Sequence, residues 1–260
     1  MKENANGFSV SAAALSILTA ALADASVPAG SARVALLSGA LSTLLLSAAA
    51  RLAAQKGRQP VLALLLSPII LLELFRMLLQ AQAVCGREFR SMALVGLLPL
   101  LLWAGWQVRP EQWNAVARVL WWLVLLGGAV YLTGIAGQLR WMRLVESDFG
   151  LPAQQMPVLF YAEFLLFPLL CPGQRDRRAA CLPWLTFGVQ VAVLLGMRML
   201  FGTRDYPVRQ LLCVWSTGTF SRMDALLLLV WLACAFYRAG VLCTVLRLCL
   251  PTPAQKGAVK

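Results

Sequence analysis

The chain has 260 residues, of which 60% are hydrophobic and 13% charged, and it carries a formal charge of +12 with no histidine. An ordinary soluble domain has about 25% charged residues, so this composition indicates an integral membrane protein. The missing histidine excludes a Ser-His-Asp hydrolase, and the sequence has neither a zinc-type ligand spacing nor a glycine-rich phosphate loop. We therefore expect no enzymatic activity, no cofactor and no metal.

Apolar segments recur along almost the whole chain. A helix needs about 20 predominantly apolar residues to cross the hydrocarbon of a bilayer. By this criterion the sequence predicts an all-α polytopic membrane protein, with one transmembrane domain over residues 1–260 that ends in a short solvated tail at 251–260. The eight predicted spans are 9–27, 33–50, 60–80, 91–108, 115–137, 153–171, 181–201 and 223–250.

The basic residues report membrane orientation. They are scattered over short connections and form no arginine-rich arm, so we expect no nucleic-acid binding. With a cytoplasmic N-terminus, twelve lysines and arginines lie on the cytoplasmic side and eight on the other. The positive-inside rule then predicts that both termini are cytoplasmic. The tryptophans, Trp113 among them, lie mostly near span ends and are expected to form interfacial belts.

Two of the predicted spans contain helix-breaking residues. The first is interrupted after Asp24 by Ser26 and Pro28, and the sixth opens with Pro157. Transporters built from five-helix inverted repeats have discontinuous helices at corresponding positions of the two repeats, where bared backbone groups line a small-molecule site. These residues therefore favour such a fold with broken first and sixth helices. An ordinary loop between the first two helices is the alternative.

Ionisable residues inside apolar spans are the next candidates, because burying a charge in a bilayer is costly. Glu163 in the sixth span suggests ligand binding or proton coupling, a structural ion pair, or an interfacial position. Glu73 and Arg76 lie three residues apart on one face of the third span, so we expect them to pair with each other. Arg238 lies too deep in the eighth span to reach the interface, and we expect it to pair with Glu163 or Asp24.

The segment leading into the eighth span carries a family resemblance. Tyr206-Pro207-Val208, then Phe220, Arg222, Asp224-Ala225-Leu226, Trp231 and Phe236, together with Tyr161-Ala162-Glu163, resemble the spore-germination permease family. Members of that family are the membrane B subunits of nutrient germinant receptors, and the family belongs to the amino acid–polyamine–organocation transporter superfamily. The resemblance implies a 5+5-type inverted-repeat fold whose first, third, sixth and eighth helices surround a small-molecule pocket.

The resemblance also implies a truncated version of that fold. Family members have ten spans, so this chain would be a divergent member that lacks the last two helices. Its first repeat would cover about 9–137 and a partial second repeat about 153–250. The substrate-binding candidates are Asp24, Ser26, Pro28, Pro157, Tyr161 and Glu163.

The function implied is sensing rather than bulk transport. The chain would be a germinant-receptor subunit in the spore inner membrane, or in a bacterial cell membrane, that senses an amino acid or similar metabolite. It would signal through A-type subunits and C-type lipoprotein subunits. The alternatives are a proton-coupled amino acid permease, in which Glu163 carries the proton, and a degenerate scaffold subunit that binds no ligand.

Arg222 and Asp224 lie at the mouth of the eighth span and join Glu73, Arg76 and Arg238 as ion-pair or gating candidates. Residues two apart on a regular helix point about 200° apart, so these two are not expected to pair with each other. We expect them to anchor the helix at the membrane boundary.

Overall fold

The computed structural model describes residues 8–24, 32–56, 60–88, 102–143, 161–170, 176–201 and 223–249, and within these ranges it is all-helical. The main helices are α1 Val10–Asp24, α2 Ala32–Lys56, α3 Pro60–Glu88, α4 102–107, α5 Pro110–Ala136, α6 Ala162–Leu170, α7 Asp176–Phe201 and α8 Met223–Cys249. Five of them, α2, α3, α5, α7 and α8, are long and apolar enough to cross a membrane, and α1 is a shorter apolar helix.

The interruptions expected in the first and sixth spans lie outside the described residues. α1 runs without a break from Val10 and ends at Asp24, the first residue of the expected interruption. α6 begins at Ala162, after the expected break at Pro157. The fourth predicted span is described only at its end, as α4.

α1 lies at the centre of the described structure and packs against α5, α6, α7 and α8. Its buried face consists largely of small side chains, including Ala12, Ala13, Ser16 and Ala20. Small residues let helix backbones approach closely, which is the main packing device where lipid removes the hydrophobic driving force between helices. This composition explains how a helix of only 15 residues can contact four neighbours.

α1 and α5 run in the same direction. The Ser9 amide donates to Asn114 Oδ1 at 2.8 Å, just before the start of α1 and near the start of α5. Further along both helices, Trp121 Nε1 donates to the Ser11 carbonyl at 2.9 Å. The later residue of the α1 segment thus contacts the later residue of α5, so the two helices are parallel.

α8 runs opposite to α1. The Tyr237 hydroxyl donates to the Ala12 carbonyl at 3.1 Å. Cys234, earlier in α8, contacts the hydroxyl of Thr19, later in α1. α2 and α7 pair along most of their lengths and are also antiparallel, because Ala35 packs on Leu194 whereas the Ser47 hydroxyl donates to the Ala180 carbonyl at 2.8 Å.

Two helices contain an internal proline, and in α3 a nearby hydroxyl group accommodates it. Pro68 in α3 has no amide hydrogen for the Leu64 carbonyl, and the Ser67 hydroxyl donates to that carbonyl at 2.7 Å. Pro183 lies inside α7, which continues to Phe201. Serine side chains re-satisfy backbone groups that proline frees in membrane helices, so α3 continues through Pro68.

Trp113 lies near the start of α5 and packs against α8. Its ring lies against Gly240 of α8, where a methyl group would overlap the ring. Its Nε1 donates to Thr244 Oγ1 at 2.9 Å, and its ring meets Tyr237 edge-on with centroids 5.7 Å apart. Because Gly240 has no side chain, the Trp113 ring of α5 can pack directly against the α8 backbone. Trp122, by contrast, is 76% exposed.

Candidate functional site

Three ionisable side chains from three helices meet inside the protein. Arg238 of α8 places Nη2 at 2.7 Å from Glu73 Oε2 and at 3.0 Å from Glu163 Oε1. Its Nε also donates to Glu163 Oε1, at 3.2 Å. All three residues are buried, and Glu163 and Arg238 are only 1% and 3% exposed. We call Glu73, Glu163 and Arg238 the buried ion triad.

The buried ion triad replaces the local pair expected from the sequence. Glu73 and Arg76 were predicted to pair with each other, and this prediction is wrong: Glu73 pairs with Arg238, whereas Arg76 pairs with Asp24. An arginine deep in an apolar helix needs a compensating charge more strongly than an exposed one does, because an unpaired buried charge costs several kcal/mol. Arg238 takes Glu73 in addition to Glu163.

Glu73 also binds the start of α6. The Ala162 amide donates to Glu73 Oε1 at 2.8 Å. The first amides of a helix have no partner inside the helix, and the helix dipole makes this end positive, so it favours a carboxylate. The two oxygens of Glu73 therefore bind two different positive groups, the α6 N-terminus and the Arg238 guanidinium.

The two carboxylate oxygens of Glu163 differ in their hydrogen bonding. Oε1 accepts from Arg238 and from the Ser16 hydroxyl of α1, the latter at 3.2 Å. Oε2 is buried and accepts no hydrogen bond from any described amide, hydroxyl or cationic group. A buried polar atom left without a donor costs about 1–3 kcal/mol, which makes such atoms rare in native proteins.

A second polar group surrounds Asp24 at the end of α1. Arg76 Nη2 and Gln80 Nε2 donate to Asp24 Oδ1 at 2.7 and 3.0 Å, and the Tyr161 hydroxyl donates to Oδ2 at 3.2 Å. We call these four residues the Asp24 network. The Arg76 side chain is 61% exposed whereas the Asp24 side chain is 8% exposed, so the network links the surface to the interior.

Tyr161 connects the Asp24 network to the buried ion triad. Its ring lies below Arg238, whose Cζ is 5.4 Å from the ring centroid, within the range of a cation–π contact. Its hydroxyl points the other way, to Asp24. A side chain that contacts both groups of charges is well placed to transmit a change from one to the other.

The structure brings together six of the residues that the sequence singled out. Asp24, Tyr161 and Glu163 come from the substrate-binding candidates, and Glu73, Arg76 and Arg238 from the ion-pair candidates. The others lie outside the described residues, except Asp224, which belongs to the first turn of α8 with an undescribed side chain. The candidates outside are Ser26, Pro28, Pro157 and Arg222.

Two contributors were missed by the sequence reasoning. Gln80 lies seven residues after Glu73 and so shares its face of α3, a periodic signal that could have identified it. Ser16 is one of several small residues in the apolar row of α1, and nothing in the sequence distinguishes it.

Comparisons with known proteins leave the family open. No family model matches the chain, no curated protein matches its sequence, and no solved structure matches its fold.

Proposed function

We propose that this chain is a membrane sensor of a small metabolite, the membrane subunit of a nutrient-germinant receptor of the kind that its sequence resembles. The observation that carries the proposal is the buried acceptor Glu163 Oε2, which lies beside a guanidinium at the meeting point of α1, α3, α6 and α8. A ligand with an ammonium group would supply the missing donor. An amino acid, or a metabolite of similar size with an amine, is the ligand class.

The helix directions agree with a transporter-like inverted repeat, as they do with any chain whose consecutive spans alternate in direction. In a five-helix inverted repeat, the first, second and third helices run opposite to the sixth, seventh and eighth. α2 is antiparallel to α7, as the contacts between them require. α6 is antiparallel to α1, because Tyr161 contacts Asp24 at the end of α1 whereas Glu163 contacts Ser16 near its middle.

The third pair of equivalent helices follows the same rule. Glu73 of α3 binds Arg238 of α8, whereas Cys85, later in α3, belongs to a cluster with Trp231, earlier in α8. α3 and α8 are therefore antiparallel. In such a fold the equivalent helices surround a site at mid-membrane, and the buried ion triad lies near the middle of both α3 and α8.

Signalling needs two packings that a ligand distinguishes. Tyr161 gives a route, because it contacts Arg238 with its ring and Asp24 with its hydroxyl. A ligand that shifts the buried ion triad would alter the Asp24 network at the other end of this side chain. In the receptor, A-type subunits and C-type lipoprotein subunits would read that change in the spore inner membrane.

The test is a single charge removal with a matched control. Glu163→Gln keeps the size of the side chain and removes the carboxylate, so germination triggered by the responsive nutrient should need a higher nutrient concentration at unchanged protein level. Glu111→Gln removes an exposed carboxylate in the first turn of α5 and should leave the dose response unchanged. A normal dose response in Glu163→Gln would overturn the role proposed for this carboxylate.

A proton-coupled permease is the second candidate, favoured by the charge balance of the buried ion triad. Two carboxylates face one guanidinium, so one negative charge is in excess when both are ionised. Both carboxylates contact the same guanidinium, so the uptake of one proton would bring the buried ion triad to neutrality. Uptake of a labelled amino acid into vesicles, abolished when the proton gradient is collapsed, would support the permease. If neither uptake nor a nutrient response is found, the scaffold subunit remains.

A further inference from the structure

We propose that the Ala162 amide and the Arg238 guanidinium form a carboxylate-binding position, and that Glu73 fills this position as an internal competitor of a carboxylate-bearing ligand. The inference rests on the proposed function, because it names the second half of the ligand that the same site would recognise. It adds a role for Glu73 that neither the sequence pattern nor the resemblance assigns.

The first argument is the way in which Glu73 is held. Oε1 accepts from the backbone of α6 at 2.8 Å and Oε2 accepts from the guanidinium at 2.7 Å, so each oxygen has a donor of its own. Helix N-termini and arginines are both groups that proteins use to bind carboxylates. Glu73 reaches both from a third helix, as a bound carboxylate would.

The second argument concerns charge. If Glu73 withdraws, Arg238 remains paired with Glu163 through both Nε and Nη2, so the guanidinium does not become an unpaired buried charge. A ligand carboxylate could then replace Glu73 without changing the local charge. An ammonium group on the same ligand would meet the unpartnered Glu163 Oε2 and offset the excess negative charge. A zwitterion therefore satisfies both positions.

The third argument is that a displaced Glu73 has another cation within reach. Arg76 lies three residues further along α3, a spacing at which side chains of opposite charge pair on one helix face. The Arg76 side chain is largely exposed and is bound to Asp24 in this structure. Glu73 can thus exchange Arg238 for Arg76, and this exchange would weaken the hold of Arg76 on Asp24. Ligand entry is in this way coupled to the Asp24 network.

Acetate tests the carboxylate position without knowledge of the ligand. Glu73→Ala removes the internal competitor and leaves room for a small carboxylate. In the purified full-length chain, acetate should raise the thermal unfolding midpoint of Glu73→Ala, with a half-saturating concentration at least about tenfold lower than for the unsubstituted chain, because a tethered carboxylate no longer competes. Glu111→Ala, which removes an exposed carboxylate, should respond to acetate no more than the unsubstituted chain does.

Glu73→Gln keeps the test decisive if Glu73→Ala does not fold. The amide fills the same space but has no charge, so it competes less well, and acetate should stabilise Glu73→Gln more than the unsubstituted chain. The proposal is overturned if acetate shifts neither variant, or shifts Glu111→Ala equally. If acetate stabilises neither Glu73 variant while Glu163→Gln still needs more nutrient, only the carboxylate position is wrong. If acetate stabilises the Glu73 variants while Glu163→Gln has a normal dose response, only the sensor role is wrong.

Discussion

Glu73 Oε2 and Arg238 Nη2 lie 2.7 Å apart and join the middle of α3 to the middle of α8, with both side chains buried. Removing the cation should therefore destabilise the fold strongly. We expect Arg238→Met to lower the free energy of unfolding by about 3–5 kcal/mol, because two buried carboxylates lose their shared partner. Denaturant titration of the purified protein in mixed micelles measures this loss.

The compensated variant separates charge from packing. Arg238→Met combined with Glu73→Gln and Glu163→Gln leaves no buried charge, so most of the lost stability should return. Arg118→Met, at an exposed arginine of α5, is the control and should change stability little. If the triple variant is as unstable as Arg238→Met alone, unpaired charge is not the cause of the destabilisation.

Tyr161 makes two separable interactions. Tyr161→Phe removes the hydrogen bond to Asp24 but keeps the ring below Arg238, and should cost about 0.5–1.5 kcal/mol. Tyr161→Leu removes the ring as well and should cost more, by about 0.5–2 kcal/mol, since the guanidinium loses its cation–π contact. The same denaturant titration compares the two variants, and equal stability of both would show that the ring contributes nothing.

Gly240 allows Trp113 to pack between α5 and α8. Gly240→Ala should destabilise the protein by about 1–3 kcal/mol, because its methyl group would overlap the Trp113 ring and force a packed side chain and helix to shift. Gly128→Ala in α5 is the matched control, since among the described residues the added carbon would meet no heavy atom within 4 Å beyond its chain neighbours and the nearby backbone of its own helix. We expect that control to be neutral or slightly stabilising, as alanine is the better helix former. Thermal unfolding distinguishes the two, and the reverse order would contradict the packing argument.

The parallel arrangement of α1 and α5 fixes which ends share a membrane side. In a variant without the seven natural cysteines, Ser9→Cys and Glu111→Cys, near the starts of α1 and α5, should be labelled from the same side. Gln138→Cys, just after the end of α5, should be labelled from the opposite side. The positive-inside rule predicts that the first two are cytoplasmic. Labelling with an impermeant maleimide in whole cells and in inverted vesicles tests both statements. Equal labelling of all three positions from one side would contradict the helix directions.

Hydrophobic composition by itself predicts where the helices are but not how long they are. The third predicted span ends at residue 80, whereas α3 continues to Glu88. α2 likewise continues past its predicted end at residue 50, and α7 begins before its predicted start at residue 181. A count of apolar residues detects only the part of a helix that suits hydrocarbon. A helix satisfies its backbone internally, so it continues into more polar surroundings where the hydropathy signal has stopped.

The partners of the charged residues were decided by the tertiary structure. Sequence spacing correctly marked Glu73, Glu163 and Arg238 as residues that need partners, because each is a charge in an apolar row. It favoured a local Glu73–Arg76 pair, since only neighbours within one helix can be read from spacing. Helix packing instead brings the guanidinium of α8 and the N-terminus of α6 to Glu73, and leaves Arg76 to Asp24.

The sequence alone therefore determined the class of protein, the positions of its apolar helices and the residues whose charge is costly to bury. Only the tertiary structure decided which of those charges meet, because electrostatic attraction between distant residues depends on which helices lie side by side. It also located the unpartnered oxygen Glu163 Oε2, on which the proposed function rests. Hydrogen-bond satisfaction is a property of the assembled neighbours, so no pattern along the chain could have identified that atom.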